Sequence, residues 1–286
     1  MATIQITVNN IPQNDRYLKY LKDSPQEIFL PGDSISGSCT ITAQKSGKFK
    51  HKGITVRLIG RFISNDTIQS EFSVQEMKIS QSASIDKTYK ADFTFEKPRI
   101  QFPSFHGCKM ALTYHVVVEV KQITIFPTLY QYYEIVFLQP IKRTQQVPPI
   151  SINVSQPPLH FNITTSKGIY STDEMISGEI AFSNAQQIGL QKVALYIILI
   201  EKMKEKKEIK TEETPILKYE LIDGTPKPGS KIPFRIRLTP YCFWTFKNNQ
   251  TSLLNVSFRI DVHAQRDGNN NCIAQHPIHI YQRELA

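Results

Sequence analysis

The segment IFLPGDSISGSCTI at residues 28–41 has a counterpart 141 residues later, IYSTDEMISGEIAF at residues 169–182. Both copies are centred on the same tripeptide, Ile35–Gly37 and Ile176–Gly178, and apolar residues alternate on either side of it. The similarity continues in two later pairs of segments, 91–95 with 233–236 and 112–120 with 254–262. A half-length repeat made of strand-like segments predicts two related β-domains in tandem.

Alternation with a period of two dominates the rest of the chain. In residues 54–62 the apolar side chains at even positions face one way, which is typical of a strand buried on one side. Residues 193–199 are apolar at every position, as in a central strand. Helix signals are weak, and residues 70–80 favour either a single turn or a strand. The fold class predicted is all-β, with two tandem antiparallel β-sandwich domains.

Prolines mark the boundary between the two halves. They occur at positions 140, 148, 149, 157 and 158. Proline fixes φ and donates no hydrogen bond to a sheet, so this stretch is predicted to be a semi-rigid connector. The predicted organisation is an N-terminal sandwich at 1–140, a short proline-containing linker at 141–158 and a C-terminal sandwich at 159–286.

The composition narrows the cellular setting. The 286 residues include four cysteines, and no export signal is evident at the start, which favours a reduced, cytosolic protein. No apolar run approaches the 18 or so residues of a membrane span. The net charge of +9 fits either attraction to an anionic membrane surface or a simple excess of lysine. The lysines are not interleaved with aromatic residues, so nucleic acid is not an expected partner. The basic segment 201–210 also carries glutamates, and it is interpreted as a solvated hairpin tip.

Few residue groupings in the sequence indicate catalytic or metal-binding chemistry. The grouping that most resembles a metal set is His276 and His279 with Cys272 and Cys242. Residues three apart on a strand point to opposite faces, so the two histidines are not expected to share an ion. No phosphate-binding loop or nucleophile elbow is present. No metal, cofactor or enzymatic activity is therefore expected.

Two other cysteines, Cys39 and Cys108, lie in apolar strand contexts. Thiols in such places are usually buried and inert. Both are therefore expected to be structural residues rather than nucleophiles.

Several segments resemble one family. Two sandwiches that each carry the Ile-Ser-Gly motif resemble the arrestin fold. The segment KYELIDGTPKPGSKIPF at 218–234 looks like the signature of the vacuolar-protein-sorting arrestin-like subunit of retromer. Residues 49–60, 96–98 together with 105–107, and 159–161 match the same family, and the resemblance covers almost the whole chain in order. The glycine- and phenylalanine-rich N-terminus and the long polar C-terminal tail of that family are not present here.

The resemblance implies a binding site for an α-solenoid scaffold subunit on the second domain. It corresponds here to the segment from Lys218 to Gly224, with Leu221 and Ile222 inserted into the terminal helices of the solenoid. Two adjacent large apolar residues before a turn cannot both face one sandwich core, so one of them is expected to be exposed. The alternative is that both pack beneath the loop. The residues assigned to this site are Tyr219, Leu221, Ile222, Asp223 and Gly224.

The resemblance implies a second site, between the domains, where a sorting nexin and a cargo peptide meet this subunit. Matching the last strands of the family assigns Ile273 and Cys272 to it. An ordinary edge-strand role for Ile273 is the alternative.

The implied function is that of a non-catalytic subunit of a retromer-type endosomal cargo-sorting coat. The expected partners are the solenoid, sorting nexins, cargo tails and, indirectly, a small phosphoesterase-fold subunit. The expected location is cytoplasmic and peripheral on endosomal membranes, through the complex. Two alternatives stay open, the related subunit of the retriever complex and an arrestin-fold adaptor for membrane-protein trafficking. The tyrosine-containing Pro-Pro motifs of ubiquitin-ligase adaptors are not found here.

Overall fold

The computed structural model describes residues 2–9, 17, 27–44, 48–123, 126–141, 146–156, 159–184, 189–205, 208–241, 243–246, 253–266 and 269–284. Regular structure in these residues is β-strand, apart from a 3-10 turn at Thr239–Tyr241 and the 3-10 conformation of Tyr17. The strands are β1 Ala2–Val8, β2 Ile28–Phe29, β3 Ile35–Ala43, β4 Phe49–Ser64, β5 Thr67–Ser80, β6 Ala83–Ile85, β7 Thr88–Phe95, β8 Phe105–His106, β9 Met110–Gln122, β10 Leu129–Phe137, β11 Ser151–Gln156, β12 Leu159–Thr165, β13 Ile169–Ser171, β14 Met175–Asn184, β15 Leu190–Glu205, β16 Glu208–Asp223, β17 Lys231–Arg237, β18 Leu254–Arg266 and β19 Asn269–Tyr281.

The chain divides into two compact units. The N-terminal unit comprises residues 1–18 and 23–139, and the C-terminal unit comprises residues 140–286 together with 19–22, which lie outside the described residues. Each unit contains two sheets. In the N-terminal unit they run β1-β3-β7 and β2-β10-β9-β4-β5, with β6 and β8 paired to β4 and β9. In the C-terminal unit they run β11-β12-β14-β17 and β13-β19-β18-β15-β16.

The period-two pattern buries one face of most strands. In β3 and β7 the side chains of Ile35, Ile41 and Phe95 are fully buried. Those of Leu58 and Val116, in β4 and β9 of the larger sheet, are also fully buried. Two sheets that each present an apolar face to a shared core make a β-sandwich. The prediction of an all-β fold built from two such sandwiches is confirmed.

The repeated tripeptide has the same surroundings in both units. Gly37 of β3 lies opposite Phe93 of β7, and Gly178 of β14 lies opposite Phe234 of β17. A Cβ atom added to Gly37 would lie 2.3 Å from the carbonyl oxygen of Thr7 and 2.6 Å from the Phe93 ring. At Gly178 the corresponding distances, to Thr164 and Phe234, are 2.2 Å and 2.5 Å. The glycine is needed because an aromatic ring from the neighbouring strand lies against its backbone.

The connector is shorter than the sequence suggested. Residues 151–156, assigned above to the linker, form β11 and pair with β12 in antiparallel register. Ile150, Ile152 and Val154 are buried, which is the alternation expected of a sheet strand. The prolines therefore flank a strand rather than mark one continuous linker. Pro157 and Pro158 lie outside the described residues.

Two further differences concern strands. The ambiguous residues 70–80 lie within β5, an edge strand paired to β4. The sheets are not purely antiparallel, because β2 pairs with β10 and β13 pairs with β19 in parallel. The predicted basic hairpin is formed by β15 and β16, and Lys206 and Lys207 at its tip lie outside the described residues.

Candidate functional site

The segment assigned to scaffold binding comprises the last residues of the edge strand β16 and the turn that follows it. Within the described ranges, β16 pairs with β15 alone, and it ends at Asp223. Gly224 follows with a φ of +91°, a conformation that favours glycine, and its N–H donates to the carbonyl of Gln191. The hydroxyl of Thr225 donates to the carbonyl of Leu190 at 2.8 Å. These hydrogen bonds join the turn to the start of β15, so the turn has a defined conformation in the absence of a partner.

The burial of Leu221 and Ile222 corrects one expectation. Each is only 8% exposed, so the expectation that one of them is exposed is wrong. The reason is a β-bulge, because Ile222 pairs with Val193 and Glu220 with Ala194, which leaves Leu221 without a direct partner in the ladder. A bulge interrupts the alternation of side chains, so adjacent residues can both be buried. The sequence gives no direct signal for this, since the register depends on β15.

The surface that this segment offers is mostly polar. Asp223 and Gly224 are exposed, and Tyr219 is partly exposed. Lys218 lies 3.5 Å from Glu220 and 5.8 Å from the centre of the Tyr196 ring. The turn residues and these polar neighbours can contact a partner without any change in the core, in which Leu221 and Ile222 are buried.

The residues assigned to cargo binding lie at a second bulge. In the pairing of β18 with β19, Val262 lies opposite Ala274 and His263 lies opposite Cys272. Ile273 is therefore the additional residue of β19. Bulges commonly occur beside functional sites, where they redirect a side chain. Cys272 is exposed, and Ile273 is partly exposed.

A polar network covers the same face of the C-terminal sheet. Arg259 of β18 donates to both carboxylate oxygens of Asp261, at 2.6 Å and 3.0 Å, and to both oxygens of Glu213 on β16, at 3.0 Å and 2.7 Å. Gln275 of β19 donates to Asp261 at 3.2 Å. Asp261 is only 5% exposed, so these bonds compensate for the loss of water around its charge.

His263 and Cys272 adjoin this network. Donor atoms of Asp261, His263 and Cys272 all lie within 4.8 Å of one another. Burial lowers the pKa of His263, and Asp261 opposes this effect while Lys218 adds to it. Burial and the charge of Asp261 raise the pKa of the Cys272 thiol. At neutral pH the imidazole is therefore neutral and the thiol is protonated.

The grouping considered from the sequence is not the one that the fold brings together. Both histidines lie on β19, but His276 is opposite Ile260 of β18 and His279 is opposite Ile169 of β13. Cys242 lies outside the described residues. The sequence signal that could have indicated the cluster is the spacing of Asp261 and His263, because residues two apart on a strand share a face. Their proximity to Cys272 depends on the register of β19.

The two other cysteines differ from each other. Cys39 is fully buried, as expected, and burial raises the pKa of its thiol. Cys108 is exposed, because it lies in the turn before β9 rather than in a strand, so the expectation of burial is wrong there. Among the described residues, no helix is long and apolar enough to cross a membrane.

Two β-sandwiches in tandem, each with the repeated glycine under an aromatic ring, have the arrestin-like fold. Squid arrestin superimposes with a TM-score of 0.52, covering 99% of this chain and 95% of that one, and its 11% sequence identity supports the shared fold alone. The model of the family described as Vacuolar protein sorting-associated protein 26 matches residues 2–264. The chain belongs to that family.

Individual relatives agree with this assignment. Vacuolar protein sorting-associated protein 26B of Arabidopsis thaliana is 24% identical over 98% of this chain and 94% of its own length. The Plasmodium falciparum protein 26 is 27% identical over 83% of this chain and 82% of its length. The Drosophila melanogaster protein is 26% identical over 75% of this chain, but only 45% of its length is covered. Family membership supports a role in vacuolar protein sorting.

Proposed function

We propose that this chain is a non-catalytic subunit of a retromer-type endosomal cargo-sorting coat, which binds the end of an α-solenoid scaffold subunit through its C-terminal unit. The observation that carries the proposal is the family match over residues 2–264, which includes the segment that ends β16. The chain acts by binding, at the cytoplasmic face of endosomal membranes, and reaches the small phosphoesterase-fold subunit only through the scaffold.

The scaffold contact is centred on the turn after β16. Asp223 and Gly224 supply exposed groups, and Tyr219 adds a partly exposed aromatic ring, a residue type that often dominates binding energy. Leu221 and Ile222, which precede this turn, are buried in the core. A turn held by hydrogen bonds to Gln191 and Leu190 loses little entropy when it binds, which favours affinity.

Sorting nexin and cargo contacts are assigned to the bulge in β19. Cys272 and Ile273 reach the surface there, next to the polar network of β18. A bulge often lies beside a functional site, where it redirects a side chain.

The test compares two charge reversals on one strand. Asp223→Lys changes the proposed contact, and Glu208→Lys changes an exposed residue at the other end of β16. The two positions are roughly 50 Å apart along an extended strand. We expect Asp223→Lys to weaken binding of the purified solenoid by at least about tenfold, a loss typical of an interface charge facing the wrong sign. Glu208→Lys should bind like the unmodified chain in isothermal titration.

The buried pair is unsuitable for this test. Aspartate at Leu221 or Ile222 places a charge in the core, so lost binding there is confounded by unfolding. Equal binding by the Asp223→Lys and Glu208→Lys variants contradicts the proposed contact. Titration against the solenoids of both retromer and retriever distinguishes these two complexes. Binding to neither leaves an arrestin-fold adaptor for membrane-protein trafficking.

A further inference from the structure

Three side chains with different donor atoms meet on the outer face of the C-terminal five-stranded sheet. Asp261 and His263 are two residues apart on β18, so they share this face. Cys272 lies opposite His263 on β19. Their oxygen, nitrogen and sulfur donors all lie within 4.8 Å of one another. Zinc bonds to these atoms measure about 2.0–2.3 Å, so small side-chain rotations suffice to bring all three atoms into contact with one ion.

The bulge at Ile273 creates this arrangement. Regular pairing beyond Val262 and Ala274 would place Ile273 opposite His263. The additional residue shifts the register by one, and Cys272 takes that place instead. Because β18 lies between β15 and β19, the positions of its side chains are fixed by hydrogen bonds on both sides.

The surroundings of His263 leave one of its ring nitrogens available as a ligand. Nδ1 of His263 is buried and has no hydrogen-bond partner in the described part of the chain. A buried ring nitrogen of this kind is unfavourable unless something binds it.

Asp261 is oriented as a ligand carboxylate usually is. Arg259 and Gln275 hold its two oxygens through three hydrogen bonds of 2.6, 3.0 and 3.2 Å. A carboxylate offers about four lone-pair positions, so one stays available. Such outer partners fix ligand orientation in metal sites. The positive charge of Arg259 also lowers the affinity for a cation, so His263 and Cys272 supply most of the binding. The Cys272 thiol releases its proton to solvent when the ion binds, because only the thiolate is a metal ligand.

We propose that Asp261, His263 and Cys272 form a binding site for a zinc-type divalent ion. The combination of thiolate, imidazole and carboxylate suits zinc, whereas magnesium and calcium prefer oxygen ligands alone. Three protein ligands leave a fourth position for water or for a donor from another molecule. The bound ion links β18 to β19 across the bulge and so stiffens the segment that contains Ile273. This site is independent of the scaffold contact at Asp223.

Cobalt substitution tests the site, because a cobalt–thiolate bond gives a charge-transfer absorption band. The full chain, reduced and freed of metal with a chelator, is titrated with Co²⁺ and then with Zn²⁺ as competitor. We expect about one equivalent of cobalt to produce the band and zinc to displace it. Cys272→Ser should abolish the band. His263→Gln should weaken cobalt binding at least about tenfold, since even outer partners cost that much.

Cys108→Ser is the matched control, because it removes an exposed cysteine from the other unit and should leave the titration unchanged. Circular dichroism of each variant shows whether it is folded. The proposal is overturned if folded, unmodified chain gives no thiolate band, or if Cys272→Ser binds cobalt as the unmodified chain does. A band that disappears in Cys108→Ser but persists in Cys272→Ser also overturns it.

Discussion

Replacing Gly37 by alanine should destabilise the N-terminal unit far more than the same change at Gly53. The added Cβ would lie 2.3 Å from the carbonyl oxygen of Thr7, whereas real Cβ contacts are essentially never shorter than 3.0 Å. To reach that limit, β1 must therefore move by about 0.7 Å relative to the new Cβ, and the ring of Phe93, which is 2.6 Å away, by about 0.4 Å. At Gly53 the nearest atom is 3.4 Å away, which is an ordinary contact.

The magnitude follows from what must move. Displacing the ring of Phe93, which is only 2% exposed, overpacks the core at about 1–3 kcal/mol. Weakening one ladder hydrogen bond between β1 and β3 adds about 1 kcal/mol. Alanine recovers about 0.5–1 kcal/mol of chain entropy relative to glycine. The net loss is about 1–3.5 kcal/mol, which corresponds to a lowering of the melting temperature by about 3–14 °C for a unit of this size.

The assay is thermal unfolding followed by circular dichroism, with hydrogen exchange of β1 and β3 peptides as a local readout. Gly53→Ala should melt within about 2 °C of the unmodified chain. The equivalent Gly178→Ala can be followed by fluorescence of Trp244, the one tryptophan of the chain, which is buried in the C-terminal unit. If Gly37→Ala and Gly53→Ala unfold alike, the glycine is not required by close packing and the reasoning fails.

Two further predictions concern charge. Arg259→Met leaves the buried Asp261 with fewer donors and should cost about 1–3 kcal/mol of unfolding free energy in urea titrations. Lys48→Met removes an exposed 3.7 Å ion pair and should change that free energy by less than about 0.5 kcal/mol; equal effects of the two changes contradict the argument. Burial lowers the pKa of His115, and the charge of Glu134 partly opposes this lowering. The unfolded chain therefore binds an additional proton below about pH 6.5, so the folded chain loses stability as the pH falls. Melting temperatures between about pH 7.5 and about pH 5.5 should therefore decline less in His115→Gln, and an unchanged slope contradicts this.

The fold could be predicted from the sequence because the patterns that indicate it are local and occur twice. Alternation identifies strands such as β3 and β4, and the duplicated Ile-Ser-Gly tripeptide indicates two related units. The role of Gly37 could not be read directly, since the ring that requires it belongs to Phe93 on another strand. The proline signal was misleading around β11, where the buried Ile152 and Val154 carried more information.

The candidate sites were less accessible because they depend on register. Leu221 and Ile222 are both buried through a bulge, and the bulge is defined only by the pairing of β16 with β15. The cluster at Asp261 and His263 has a local part, their two-residue spacing. Its third member, Cys272, is added by the pairing of β19. Non-local pairing of this kind leaves no pattern within a single segment.

The parallel pairing of β13 with β19 has a consequence for protein synthesis. β13 comprises residues 169–171, and its partner residues in β19 are 279–281, so about 110 residues must be translated before this contact can form. At about 5–20 residues per second, the nascent C-terminal unit waits roughly 5–20 seconds with that edge uncovered. The N-terminal unit, whose equivalent pair joins β2 to β10, can complete its fold earlier. During this interval the N-terminal sandwich can be fully folded while the C-terminal sandwich is incomplete. An exposed strand edge can pair with other chains, so this is the stage of synthesis at which chaperones are most needed.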